Sequence, residues 1–137
     1  MVERISKEEG RLLAAEEFQR AFEELKAARL LHENGFYYKS AASAYYVVYH
    51  AAKAVLLLKG IAPQSHEGVE RMFSLYYVKT KEVGPDIGKI IGRLMKLPEE
   101  ADYYPETSFS PEDSLDAIEK AEVFAGKIKE FFELQKS

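Results

Sequence analysis

Apolar positions recur along most of this chain at intervals of three and four, the spacing that lines one side of an α-helix. Ser6-Lys7-Glu8-Glu9 opens the first such stretch as a capping box, with Ser6 as cap and Glu9 at the third helical position. Ala14, Phe18, Ala21, Phe22, Leu25 and Ala28 then share a side, with Glu16, Arg20, Glu23 and Lys26 mostly elsewhere. Asn34-Gly35 ends this helix, because both residues tolerate the left-handed backbone of a helix terminus. So short a break makes the next helix an antiparallel neighbour.

The second helix is predicted from about Phe36 to Lys59, with Gly60 as its stop. Ala41 to Leu58 is almost wholly apolar, which predicts burial on all sides. One polar line nevertheless runs along it. At 100° per residue, Lys39, Ser43, Tyr46, His50 and Lys53 fall within about 80° of one another. An unpaired polar group in a core costs about 1–3 kcal/mol. The line is therefore either a satisfied internal network, with Lys39 and Lys53 reaching solvent at its ends, or the wall of a site. Ala41–Leu58 is long enough to raise the question of a membrane span. Its His50, Lys53, three tyrosines and six alanines point instead to a buried helix away from any membrane.

Ile61-Ala62-Pro63-Gln64 reads as a connector, after which Ser65 caps a third helix with Val69, Met72, Phe73 and Tyr76 on one side. Thr80 to Gly84 is a polar loop. Pro85 suits the first turn of a short fourth helix with Ile87, Ile90, Ile91 and Leu94 as its apolar positions. Leu97 to Phe109 reads as a loop containing Asp102-Tyr103-Tyr104-Pro105. Ser110-Pro111-Glu112-Asp113 is a helix start, with a cap, a proline first and an acid third. The fifth helix then uses Leu115, Ile118, Ala121, Val123, Ala125, Ile128 and Phe132. Strand-like alternation, repeats and linkers are absent. The expectation is one all-α domain over residues 1–137, a five-helix up-and-down bundle around its apolar second helix.

Charge changes this picture along the chain. Residues 1–34 carry 6 basic and 8 acidic side chains, residues 35–96 carry 9 against 4, and residues 97–137 carry 4 against 11. A basic middle around the polar line suits an anionic ligand such as RNA or a nucleotide, or simply helix faces that balance one another in three dimensions. With no cysteine, disulfides and thiolate metal sites are excluded. His32, His50 and His66 stand too far apart for a helical metal pair, so neither metal nor cofactor is expected. His66, beside the cap Ser65, reads as a local helix-start residue. Ser43 and His50 share a face but lie about 10 Å apart along the axis, too far for direct proton transfer. Tyrosines pair as Tyr37-Tyr38, Tyr45-Tyr46, Tyr76-Tyr77 and Tyr103-Tyr104. They read either as stacking platforms for single-stranded RNA or as pairs with one ring packed in the core. Met1-Val2-Glu3-Arg4 has no apolar signal region, so a cytoplasmic protein is expected.

The run from Ser40 to Leu56, SAASAYYVVYHAAKAVL, resembles the second-helix signature of HEPN domains. Ser65-His66-Glu67-Gly68-Val69 followed by Phe73, and Ala101-Asp102-Tyr103 ahead of a capped last helix, resemble the small single-domain branch of that family. The likeness spans roughly residues 8 to 133. It implies a small helical bundle that forms a homodimer, encoded beside a minimal nucleotidyltransferase as toxin and antitoxin. Active members of the family are metal-independent ribonucleases with an arginine ahead of a histidine on one helix. Their catalytic groups gather across the dimer interface, where the RNA 2′-hydroxyl attacks its own phosphate. Here His50 takes the histidine's place, while position 43, where the arginine would stand, is Ser. Nothing from Lys39 to Tyr49 is arginine, and Arg93 lies nine residues before Asp102.

The resemblance thus implies His50 as the catalytic residue and Lys39, Ser43, Tyr46, Lys53, Arg93, Asp102 and Tyr103 as RNA-binding residues. The leading expectation is a toxin-like binding module, partner of a nucleotidyltransferase, with degenerate or weak ribonuclease activity. The alternatives are an active ribonuclease using His50 with a lysine for the missing arginine, and a nucleotide-binding helper of a transferase.

Overall fold

The first two long helices both bury alanines. The computed structural model describes residues 2–96 and 109–134. Helix α1 (Lys7–Glu33) buries Gly10, Ala14, Ala21, Leu25 and Ala28, and α2 (Tyr37–Leu58) buries Ala41, Ala44, Ala51, Ala52 and Ala54 among larger residues. Small side chains let the two backbones come close. The buried Ser40 hydroxyl donates to Ala28 O across the gap at 2.7 Å. Gly10 marks another close approach, because a Cβ built there would lie 2.3 Å from Leu57 O. A helical Gly→Ala change ordinarily stabilises. Gly10→Ala is expected to do the reverse, lowering stability by about 1–3 kcal/mol as α1 and α2 are forced apart. A raised melting temperature would refute that close approach.

Ser6 caps α1 as expected, its Oγ accepting from Glu9 N at 3.2 Å. Gly35 and Gly60 stop the two helices with φ of 83° and 76°. After Gly60 comes an unexpected element. Val2–Arg4 (β1) and Ile61–Pro63 (β2) pair antiparallel, in the register Val2↔Pro63, Glu3↔Ala62 and Arg4↔Ile61. Three residues are too few to show strand alternation, so the sequence reading of no strand is corrected here. The ribbon ties the start of α1 to the connector that leads into α3 (His66–Phe73).

Beyond Phe73 the chain winds as a π-turn over Ser74–Val78. That wider winding shifts the register, so Tyr77 rather than Tyr76 turns inward, its hydroxyl donating to Val55 O at 2.6 Å. Helix α4 (Pro85–Leu94) buries Ile87, Ile91 and Leu94 as its spacing predicts. Helix α5 (Pro111–Leu134) buries Ile118, Ala121, Phe124, Ala125 and Ile128. Leu115 and Val123, expected inside, are exposed instead. Val123 lies about 140° around the helix from Ile118, while Phe124 falls on the buried stripe. Phe22, also expected inside, is at the surface, and Phe18 is half-buried, stacked on Phe132 at 4.5 Å.

The all-α bundle places α2 at its centre, packed against α1, α3 and α5. Helix α2 has the length and hydropathy to cross a membrane, but 61% of its apolar window is buried inside the fold, as a core helix would be. The expectation of burial on every side is corrected along one stripe. Ala42, Ser43, Tyr49, His50 and Lys53 are only half-buried, and Tyr46 is exposed. The polar line is thus the side of α2 that its neighbours leave open.

Candidate functional site

Within this stripe the side chains converge on an acid from α1. Glu17 sits between Ala14 and Ala21 on the buried face of α1, with its side chain only 9% exposed. Its carboxylate meets three groups. His50 Nδ1 lies 2.7 Å from Oε2, Arg20 Nη1 lies 3.2 Å from Oε1, and Lys53 Nζ lies 3.6 Å from Oε1. A carboxylate only accepts hydrogen bonds, so His50 Nδ1 carries the hydrogen, and in the neutral ring Nε2 keeps a lone pair. The His50 side chain is 17% exposed, neither sealed nor free. Burial alone would raise the Glu17 carboxyl. The His50 hydrogen bond and the charges of Lys53, His50 and Arg20 outweigh it, holding the group below its ordinary value.

Aromatic rings continue the site toward α3. His66 is the first residue of α3, held there because Ser65 Oγ accepts from Gly68 N at 3.0 Å. Its Nδ1 pairs with the hydroxyl of Tyr45, a residue only 2% exposed. The Tyr49 ring lies 4.3 Å from the His66 ring and 5.2 Å from that of His50, and Lys53 Nζ sits 6.0 Å above it. Tyr46 borders both imidazoles, at 6.2 Å from His50 and 6.5 Å from His66. Burial, then the neighbouring Tyr46 and Tyr49, push the Tyr45 phenol well up; burial, then the Glu17 charge, push Tyr49 up. Both hydroxyls therefore keep their protons through neutral pH.

Of the residues singled out from sequence, His50, Lys53 and Tyr46 come together here. Ser43 lies one turn before Tyr46, half-buried on the same stripe. Lys39 does not join them. It lines a cleft of about 320 Å³ at the start of α2, with Gly35, Phe36, Tyr37, Tyr38 and Phe109. Arg93, in the last turn of α4, places its charge near Asp113 at the start of α5. Asp102 and Tyr103 lie outside the described residues. Glu17 and Tyr49 escaped the sequence reading, which named Tyr45 only as one of a tyrosine pair; His66 starts α3 as expected and also pairs with the Tyr45 hydroxyl. Tyr45 and Tyr77 pack in the core, as the packing alternative supposed, while Tyr37, though more buried than Tyr38, is only half-buried.

Among the described residues no three His, Asp or Glu side chains gather as a metal site. His32 Nδ1 meets Ser114 Oγ at 2.5 Å, and the same hydroxyl lies 3.2 Å from Pro111 O. This pair clamps α1 to α5.

The HEPN domain family matches residues 14–131. A protein of Methanocaldococcus jannaschii named "Putative toxin" is 39% identical over 109 residues, covering 80% of this chain and 81% of its own length. A UPF0332 protein of Thermotoga maritima is 33% identical over 115 residues, covering 84% of this chain and 87% of its own length. The crystal structure of an archaeal HEPN homologue matches with a TM-score of 0.71 at 18% identity, over 85% of this chain and 94% of that one. At that identity the last likeness is one of fold.

Proposed function

The chain belongs to the HEPN domain family, and we propose that it is a toxin-like module that acts on RNA, with His50 as its proton-transfer group. One observation carries this reading. His50 is oriented through Nδ1 by Glu17 at 2.7 Å, on the only long side of α2 that the described helices leave open. An imidazole so held presents Nε2 as a base. In the reaction we assign to it, Nε2 takes the proton from a ribose 2′-hydroxyl. The 2′-oxygen then attacks the adjacent phosphorus, and the bond to the 5′-oxygen breaks. The proton passes to that leaving oxygen, giving a 2′,3′-cyclic phosphate and a 5′-hydroxyl. General acid–base catalysis of this kind is worth roughly 10²–10⁴-fold.

The missing cation lowers the expected rate. Ser43 stands where the resemblance places arginine, and Lys53 is engaged by Glu17 at 3.6 Å. Lysine is a point charge and does not match the two-pronged grip of a guanidinium on phosphate. These two facts favour a second reading, an RNA-binding module that does not cleave. The toxin names of the relatives support the toxin side of a toxin–antitoxin pair. We assign the antitoxin role to a minimal nucleotidyltransferase encoded next to this chain, and a second copy of the chain to the open stripe of α2.

The readings separate on purified protein incubated with single-stranded RNA in EDTA, beside its His50→Ala variant. Slow cleavage that leaves cyclic-phosphate ends and vanishes in the variant is the expected result. Equal background in both would leave the binding module alone.

A further inference from the structure

The two imidazoles of the stripe are fixed in opposite hydrogen-bonding senses. His50 Nδ1 faces a carboxylate and so carries the hydrogen, which leaves Nε2 an acceptor. His66 Nδ1 faces the Tyr45 hydroxyl. That hydroxyl has no other hydrogen-bond partner among the described residues, and Tyr45 is 2% exposed. If Tyr45 accepted from His66, its own buried O–H would be left without an acceptor, a cost of about 1–3 kcal/mol. Tyr45 therefore donates, its phenol kept protonated by burial. His66 Nδ1 is then the acceptor, and Nε2 carries the hydrogen.

These rings are neighbours. Tyr49 touches both, at 5.2 Å from His50 and 4.3 Å from His66, and Tyr46 borders both. Those two Tyr49 distances bound the separation of the imidazoles by their total. One ring thus offers a lone pair and the other an N–H along one open edge. His66 is exposed, at the start of α3, where its ring is within reach of a bound molecule.

We propose that His66 is a second working residue of this site, whose Nε2–H, set by Tyr45, donates a hydrogen bond to a non-bridging phosphate oxygen of RNA. It supplies, from another helix, a donor to the phosphate in a site whose α2 carries Ser43 in the arginine position. His66 gives up no proton in this role, so the transphosphorylation balances through His50 as before. Tyr45 is a positioning residue, and Tyr46 and Tyr49 offer ring faces on either side of the phosphate's path. This inference rests on reading the stripe as an RNA-facing site.

The test keeps the two ideas apart. Nitrogen-15 NMR of the imidazoles reports which nitrogen of each ring carries hydrogen, without any activity. The expected result is Nε2–H for His66 and Nδ1–H for His50. The probe is a short 2′-O-methyl RNA oligonucleotide, which binds but cannot undergo 2′-attack. Its titration is expected to shift the His66 Nε2 resonance. His66→Ala should weaken its affinity about tenfold or more, in a protein that stays folded with its melting temperature lowered by a few degrees as the Tyr45 hydroxyl loses its acceptor. Tyr45→Phe keeps the buried ring but frees the tautomer, and should mix the two His66 forms and weaken affinity less. A His66 held as Nδ1–H, a wild type that does not bind the oligonucleotide, or equal affinity in His66→Ala would each overturn the proposal. A wild type that binds through His66 yet cleaves no RNA counts for it and against the nuclease reading.

Discussion

Truncating Phe124 to alanine is expected to lower the free energy of unfolding by about 3–5 kcal/mol, within the range for large aromatic residues removed from cores. Phe124 is fully buried, and its ring lies 5.2 Å from Phe73 of α3. Phe73 stacks in turn on Tyr77 at 5.4 Å, and Tyr77 meets Phe131 at 5.2 Å. This column of rings joins α5 to α3 and the π-turn, and Tyr77 anchors it to the backbone of α2. Removing one ring leaves a cavity that three separate elements would have to close. Val123, one residue earlier, is 56% exposed, and Val123→Ala should change stability by no more than about 0.5 kcal/mol. Urea unfolding of the pair checks both values. A larger loss at Val123 than at Phe124 would mean that α5 is turned the other way.

Glu17→Gln carries the largest expected effect on activity apart from His50 itself. Glutamine keeps the shape but offers an oxygen and an N–H, so His50 is no longer held with its hydrogen on Nδ1. Cleavage should fall by about tenfold to a hundredfold, less than the roughly 10²–10⁴-fold contribution of the base. The fall should appear in kcat with KM nearly unchanged, since Glu17 is inside the fold and acts through His50. The same variant has a signature in acid. The folded-state pKa of Glu17 is depressed, so its stabilising contribution is complete above the ordinary carboxylate value of about 4.3. It is lost as pH falls through the lower folded value. The wild type should therefore lose stability more steeply than Glu17→Gln as the solution is acidified below about pH 4, and the two curves should converge. Parallel acid limbs would show that the carboxylate is not favoured by its three partners.

The elements were legible where the signal is local. Ser6, Ser65 and Ser110 each cap the helix they precede, and Gly35 and Gly60 end the two they follow, because capping and left-handed termini involve only adjacent residues. The β1–β2 ribbon was not, since its partners lie about sixty positions apart and each strand is three residues long. The inward turn of Tyr77 escaped for a related reason: a π-turn changes the period on which helical face assignments rest.

For the site, the polar stripe of α2 was legible because a single helix carries it. Its partner was not, because Glu17 belongs to α1, and the sequence reading weighed its neighbours Glu16 and Arg20 as surface charges. A signal was present. An acid at position 17 interrupts the apolar face of Ala14, Ala21, Leu25 and Ala28, and a buried carboxylate demands cationic partners. Lys39 failed to join the site for the opposite reason. It shares the angular face of His50 but stands about 16 Å away along the helix axis, and an angle says nothing of that distance.

The central claim is that the Glu17–His50 pair is kept for chemistry and is not an internal brace of the α1–α2 hairpin. Thermal unfolding of His50→Leu decides it most directly. Leucine fills similar space, and Glu17 retains Arg20 and Lys53 as partners. The loss should stay below about 1.5 kcal/mol, a melting shift of only a few degrees. A collapse by tens of degrees would show that the imidazole holds the fold together, and would contradict the site.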